Sequence, residues 1–460
     1  MDRRSFVSMA GAVTVAMATG LGRGEAATPA DTQSADAVNA IHLKARWQKL
    51  DDAARGWWDG DLQRADEKAV RDDGLPHSLT PTGDKSPWSH SPPKTLIFLP
   101  FPYNSGGGSV ASFPEMYGWD THFINLGLFA HERTDIVRWN ILDQLSMIER
   151  FGKVLNGNRT FYLTRGQPPM LAMSVDKYLS VKKDDDEVAM LAYPLLERSY
   201  TGYWNAPGHA TPIGLSTCRD GGGKDLRPEL ASEAESGLDF TPIFGGEIRN
   251  CVPIHVNCAL VRQAQVLASL AERFGWSDKA ARWRNEAETR AKRMNQYCWD
   301  DGEGCYFEYD YVRKTRLPYY SLNAYWPLWI GIASPTQAKR VADHLHLFDH
   351  PYGLTFTDKT YPGVHPEYEA LEWAYPESWP QQQIVVGQAL KRYGFQDQAR
   401  EISQRYIANV VTTWEKSGLT WERYDGVVGG HSVPVERDPA QPLHGFSSAS
   451  AVVVGRIAFG

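Results

Sequence analysis

Trp119-Asp120-Thr121-His122-Phe123-Ile124-Asn125-Leu126-Gly127-Leu128, continued at Ile136, Trp139, Leu142, Leu145 and Ile148, is the stretch that decides the fold. Apolar side chains three and four residues apart share one face of an α-helix, so the stretch predicts consecutive helices that each bury one side. The same spacing marks residues 256–273, 279–297, 319–333, 336–346, 380–393, 397–415 and 447–457. Strand-like alternation is confined to short pieces at 95–99 and 305–309. Long segments rich in Gly, Pro and aromatic residues lie at 100–119, 203–247, 350–379 and 418–446. Loops of that length in a compact domain usually carry function. Paired helices joined by long loops gathered at one end predict an all-α fold, a closed ring of helical hairpins with minor short strands. Its polar motifs would collect at one mouth. A helical solenoid is the plainer alternative, but it calls for a fixed repeat period, and none is visible.

Composition narrows the function. The chain has 460 residues, 42% hydrophobic and 22% charged, enough to bury a large core. Its formal net charge of −7, with no long Lys/Arg run, gives no electrostatic footprint for nucleic acid and fits a neutral or weakly polar small molecule. The 16 Trp and 21 Tyr supply faces on which sugar rings stack, although any single one is more often a packing residue. Cys218, Cys251, Cys258, Cys298 and Cys305 are too scattered for a disulfide scaffold, and no His/Cys spacing points to a metal site or other cofactor.

At the N-terminus, Asp2-Arg3-Arg4-Ser5-Phe6-Val7 precedes a mildly apolar stretch and then small residues near Ala26 and Ala27. This resembles a twin-arginine export signal over residues 1–27, which implies a periplasmic protein. Its apolar part is too short to span a bilayer, and no other window approaches that length, so no stable membrane association is expected. Residues 28–45 are expected to form a flexible linker and residues 46–460 a single domain.

Four polar segments carry the chemistry. Trp119 and Asp120 open an apolar helix, where Asp120 taken alone reads as a cap. Asn156-Gly157-Asn158-Arg159-Thr160-Phe161-Tyr162-Leu163-Thr164-Arg165-Gly166-Gln167-Pro168-Pro169 offers amide and guanidinium groups suited to vicinal hydroxyls. Arg227-Pro228-Glu229 then precedes Glu235-Ser236-Gly237-Leu238-Asp239-Phe240. These segments, in this order, resemble the trehalase family, which carries Trp-Asp-[Ser/Thr]-[Tyr/Phe], P-N-G-x-R-x-Y-Y-x-x-R-S-Q-P-P, R-P-E and E-S-G-W-D runs. The resemblance implies an (α/α)6 toroid of six helical hairpins, with Asp239 as a general acid and Trp119, Asp120, Asn156, Arg165, Gln167, Arg227, Glu229 and Gly237 lining the sugar sites. Thr420-Trp421-Glu422-Arg423-Tyr424-Asp425 resembles the family's E-K-Y-D segment, implying that Glu422 is the general base. Glu436 is similar to a substrate-binding Glu that follows a Gly-rich loop. Residues 372–380, with Trp373, resemble the signature Q-W-D-x-P-x-x-W-x-P.

An acid and a base about 6.5–9.5 Å apart would flank the glycosidic bond of an inverting glycosidase. Burial beside Phe240 and the neighbouring Glu235 are expected to raise the pKa of Asp239, while Arg423 keeps Glu422 ionised. Three departures bear on specificity. Ser112 stands where the family's first signature has Arg. Glu372 and Ala374 replace the Gln and Asp of the second, and Leu238 replaces Trp. The leading expectation is inverting hydrolysis of α,α-trehalose, a disaccharide. Its alternatives are an exo-α-glycosidase acting on a glucosyl or mannosyl glycerate or another α-glucoside, and a non-catalytic sugar-binding protein.

Overall fold

The computed structural model describes residues 29–65, 96–110, 113–221, 227–365, 371–432 and 440–460. The export signal at 1–27, Ser112 and Glu436 lie outside the described residues. In chain order the helices are α1 (Pro29–Trp57), α2 (Asp120–Ala130), α3 (Thr134–Phe151), α4 (Leu171–Val181), α5 (Asp186–Ser199), α6 (Pro228–Ser236), α7 (Ile254–Arg273), α8 (Ser277–Tyr297), α9 (Trp326–Ile330), α10 (Pro335–Asp343), α11 (Pro380–Arg392), α12 (Gln396–Ser417) and α13 (Gly445–Phe459). Residues Leu43–Gly460 form one compact unit, and residues up to His42 are assigned to another.

Within Leu43–Gly460, α2, α4, α7, α9, α11 and α13 each pack on the next, and α13 packs on α2, which closes a ring. A second layer surrounds it. Helix α3 backs α2 and α4, α5 backs α4 and α7, α8 backs α7, and α12 backs α11 and α13. Tyr325 Oη, just before α9, donates to Val341 O of α10 at 3.0 Å. The part of α1 after Leu43 covers the seam between α13 and α2: Trp47 Nε1 donates to Ala451 O at 3.1 Å, and Asp51 accepts from Arg456 at 2.7 Å. This is the (α/α)6 toroid that the sequence predicts.

The two layers differ in their burial patterns. Helix α7 is buried around most of its circumference, whereas α8 buries a single stripe of Ala280, Trp283, Ala287, Arg290 and Met294. A helix sandwiched on both sides needs apolar or small residues all round, and an outer helix needs only one stripe. The ring closes tightly because Gly127 carries no side chain: a Cβ there would lie 2.7 Å from Ala449 Cα on α13.

Connections set the polarity of the ring. Inner-to-outer links at 131–133, 182–185, 274–276, 331–334 and 393–395 are three or four residues long. Outer-to-inner links at 58–119, 152–170, 200–253, 298–325, 344–379 and 418–444 are all much longer, so the long loops gather at one end. Short strands brace them: β1 (Leu62–Gln63), β2 (Tyr103–Asn104), β3 (Cys251–Val252), β4 (Trp299–Asp300), β5 (Cys305–Tyr306), β6 (Tyr309–Asp310), β7 (Thr315–Arg316), β8 (Asp349–His350), β9 (Gly353–Leu354), β10 (Glu377–Ser378) and β11 (Tyr424–Asp425). The pairing that matters most is antiparallel β10–β11, with Glu377 opposite Asp425 and Ser378 opposite Tyr424.

Several expectations are corrected. The linker assigned to 28–45 is helical from Pro29 onward, as part of α1. The stretch is rich in Ala, the strongest helix former, and Leu43, Trp47, Leu50 and Ala54 recur at three- and four-residue steps. The segment 203–247 contains α6, and 319–333 shortens to a 3-10 turn followed by α9. Near 95–99, Leu96 makes only an isolated bridge to Arg159. All five cysteines are buried and free. Among the described residues no helix is long and apolar enough to cross a membrane.

Candidate active site

At the long-loop end lies a cavity of about 950 Å³, including its open mouth. Four of its walls come from the four long segments singled out in the sequence, and a fifth comes from 152–170. Of the residues implicated by sequence, Trp119, Asp120, Asn156, Arg165, Gln167, Gly237, Asp239, Trp373 and Glu422 line it. Arg227 and Glu229 do not appear among the described lining residues. Arg227 is exposed at the N-cap of α6, and Glu229, in the first helical turn, lies 3.8 Å from Arg249. Pro228 starts α6 at this point, which leaves Glu229 in the first helical turn, a favourable place for a carboxylate.

Asp239 follows a constrained turn. Gly237 ends α6 in the left-handed conformation with φ +75°, and a Cβ there would lie 2.8 Å from the Trp119 indole. Only glycine meets both demands. Phe240, just past Asp239, also has positive φ, at 52°. A buried relay supports the turn from below. His255 Nε2 donates to Ser236 O at 2.8 Å, and Asn323 Nδ2 donates to His255 Nδ1 at 3.2 Å and to Glu308 Oε1 at 2.7 Å. Burial lowers His255 to about 4, so the ring is neutral and the tautomer that donates to Ser236 O is fixed. Burial lifts Glu308 to about 8, opposed by its bonds from Asn323 and from the Ile254 N–H. Glu235, expected to act on Asp239, is engaged elsewhere: His209, Tyr203 and the Arg219 N–H all donate to it. Burial alone would raise its pKa, but these bonds outweigh burial and lower it.

Glu422 enters the cavity from the 418–444 connection. Its N–H donates to Gln441 O at 2.8 Å, and its Oε2 accepts from Arg423 Nη1 at 2.7 Å. Asp120 does not serve as the cap. It is the first residue of α2, and its carboxyl lines the cavity, where burial, with like charge from Glu422 and Asp239, lifts it to about 7. Gln167 Oε1 accepts the Trp119 N–H at 2.9 Å, and Asn156 Nδ2 donates to Ala234 O at 2.8 Å, so both tie neighbouring loops together. Arg165 pairs with Asp220 at 3.2 Å. Trp373 stacks on Trp379 with centroids 3.8 Å apart, and Trp119 stacks on Trp326 at 6.4 Å.

Other wall residues were not singled out in the sequence. Glu115 forms a buried ion pair with Arg159, and Tyr117 and Tyr162 meet edge to face. Gln381 joins Glu372 and Trp379, both in the signature-like 372–380 segment, in the wall beside Trp373. Among the described lining residues, Glu115, Asp120, Asp239, Glu372 and Glu422 face a single cation, Arg165. An acid-rich cavity with aromatic walls suits a neutral polyhydroxy ligand.

A helical ring with paired carboxylates at its loop end is the architecture of toroidal glycosidases, and the comparisons narrow it. The family description Trehalase matches residues 61–222 and 232–447, so the chain belongs to the trehalase family. It is 27% identical over 403 residues to a cytosolic neutral trehalase of Beauveria bassiana, covering 72% of this chain and 53% of that protein. To the cytosolic neutral trehalase of Saccharomyces cerevisiae it is 27% identical over 408 residues, covering 75% and 54%. The chain thus spans about half the length of the curated relatives it matches. Among solved structures, a neutral trehalase from Saccharomyces cerevisiae superposes with TM-score 0.68 at 23% identity, covering 78% of this chain and 74% of that one. A mannosylglycerate hydrolase from Thermus thermophilus superposes with TM-score 0.56 at 16% identity, covering 77% and 95%.

Proposed function

We propose that the protein is an inverting glycoside hydrolase that cleaves α,α-trehalose to glucose, with Asp239 as general acid and Glu422 as general base. The observation that carries this reading is the convergence of Asp239, Glu422 and Asp120 in one aromatic-walled cavity of a trehalase-family toroid. A sugar ring packs against the Trp119 and Trp373 walls while Asn156, Arg165 and Gln167 meet its hydroxyls. Asp239 gives its proton to the bridging oxygen as the bond to the anomeric carbon breaks. Glu422 takes a proton from a water that attacks the same carbon from the opposite face. Each proton transfer is worth about 100- to 10,000-fold in rate.

The charge balance of the cavity weighs against the glycerate glycosides. Their carboxylate would enter beside the five acidic groups of the described lining, whose one guanidinium, that of Arg165, is already paired with Asp220. Glu372 and Ala374 favour a second reading, hydrolysis of another neutral α-glucoside, because they alter the wall where the family signature has Gln and Asp. Purified protein incubated with trehalose and a panel of neutral α-glucosides and glycerate glycosides separates these readings. Glucose released fastest from trehalose is expected; turnover confined to another substrate replaces the first reading with the second, and sugar binding without turnover rejects both.

The proposal extends to location. The Arg3-Arg4 segment supports export to the periplasm. Arg3→Lys combined with Arg4→Lys is expected to trap the protein in the cytoplasm, and unchanged fractionation would contradict export.

A further inference from the structure

Glu422 shares its guanidinium partner. Arg423 Nη1 donates to Glu422 Oε2 at 2.7 Å, and Nε of the same group lies 3.4 Å from Glu377 Oε2. Arg423 is wholly buried and Glu377 nearly so. The β10–β11 pairing creates this arrangement by setting Glu377 opposite Asp425, two residues beyond Arg423. Further bonds immobilise Glu377. Ser432 Oγ donates to its Oε1 at 2.5 Å, its N–H donates to Ala374 O at 2.8 Å, and its carbonyl accepts the Phe356 N–H at 2.9 Å. Glu377 is not among the described residues that line the cavity, whereas Glu422 is.

A guanidinium divided between two carboxylates pulls on each less than it would on one alone, and a second anion close by raises the proton affinity of the first. We propose that Glu377 is a positioning residue acting through Arg423: it fixes the guanidinium beside Glu422 and moderates its pull, so that Glu422 keeps the proton affinity a general base needs. A carboxylate given the whole of a buried arginine is a weaker base.

Among the described residues, Arg423 is the cation that acts on Glu377. Asp425 on β11 acts on Glu377, and so does Glu422. On the cavity side Asp120 feels both Glu422 and Asp239, and Glu372 and Glu115 lie in the same wall. Burial raises the pKa of Glu377 and Arg423 opposes it, so Glu377 and Glu422 titrate as a coupled pair around the shared guanidinium rather than independently.

The inference rests on Glu422 being the base, and its test reads Glu422 without requiring turnover. In protein carrying ¹³C-labelled glutamate carboxyls, the Glu422 resonance is assigned by its loss in Glu422→Gln and titrated in wild type and Glu377→Gln. The midpoint is expected to fall by about half a pH unit or more in Glu377→Gln, to be largely restored in Glu377→Asp, and to carry the acid limb of kcat/KM down with it. An unchanged or raised midpoint in a Glu377→Gln protein with wild-type circular dichroism overturns the proposal. If that variant fails to fold, Ser432→Ala stands in for it. Loss of its hydrogen bond favours protonated Glu377, so a smaller shift in the same direction is expected, and no shift counts against the role. Absence of any glycoside turnover by wild type would defeat the proposed activity, yet the carbon titration would still decide the role of Glu377.

Discussion

The two ends of the ring share the same helices and differ in what joins them. At one end, links of three or four residues turn inner helices into outer ones. The surface there is a shallow groove formed by Leu126, Phe129, Lys177, Lys391 and Arg456, with basic side chains near the C-termini of α11 and α13 and Arg456 already bound to Asp51. Cations at that position complement the helix dipole and require no ligand to explain them. At the other end the links are long, braced by two-residue strands, and together with the first residue of α2 they bring five carboxylates into the described lining of one cavity. The short end holds the ring in shape, and the long end has the chain length to build a site.

Changes at the long end should be the most damaging to activity. Asp239→Asn and Glu422→Gln are each expected to lower kcat by roughly 100- to 10,000-fold, with thermal midpoints near that of wild type; glucose release and calorimetry check both. Gly237→Ala should cut activity at least about tenfold and cost about 1–3 kcal/mol, because its Cβ would meet the Trp119 indole at 2.8 Å in a left-handed backbone.

The ring itself should respond in the opposite way. Gly127→Ala presses a Cβ to within 2.7 Å of Ala449 across the α2–α13 seam. It is expected to cost ~1–3 kcal/mol in urea unfolding while leaving kcat of the folded enzyme within about twofold.

Asp120 links stability to pH. Its folded carboxyl is lifted to about 7, chiefly by burial, whereas an unfolded Asp ionises near 4. Between those values the unfolded chain releases a proton that the folded protein keeps, so folding is increasingly penalised as pH rises from about 4 to 7 and the penalty is constant above that range. Asp120→Asn should therefore match wild type near pH 4 and exceed it at pH 8 by on the order of 1–4 kcal/mol in urea melts. The smallest effect is expected at the short end, where Lys391→Ala should change kcat by less than about twofold.

What the sequence disclosed follows the same division. Helices with an unbroken apolar period, such as α7, α8, α11, α12 and α13, were legible within a few residues of their ends. Helices α4 and α5 were not, because α4 places Ser174 among its buried positions and α5 carries Pro194 in its interior. In the site, Asp239, Glu422 and seven of the ten binding candidates line the cavity, and each sits in a local motif that the sequence displays on its own. Glu115 was not: it gains its meaning from Arg159, 44 residues away. The His255–Asn323–Glu308 relay likewise joins three segments with no common motif, and Glu377 gains its role only once β10 meets β11.

The central claim, that Asp239 and Glu422 act as an inverting pair at the long-loop end, is tested most directly by the anomers first formed from trehalose. Both anomeric carbons of that sugar are α. Attack with inversion at one ring gives β-glucose from the attacked ring and α-glucose from the leaving one. Proton NMR recorded before mutarotation should therefore show the two anomers in equal amounts. α-Glucose alone would mean retention and would contradict the account.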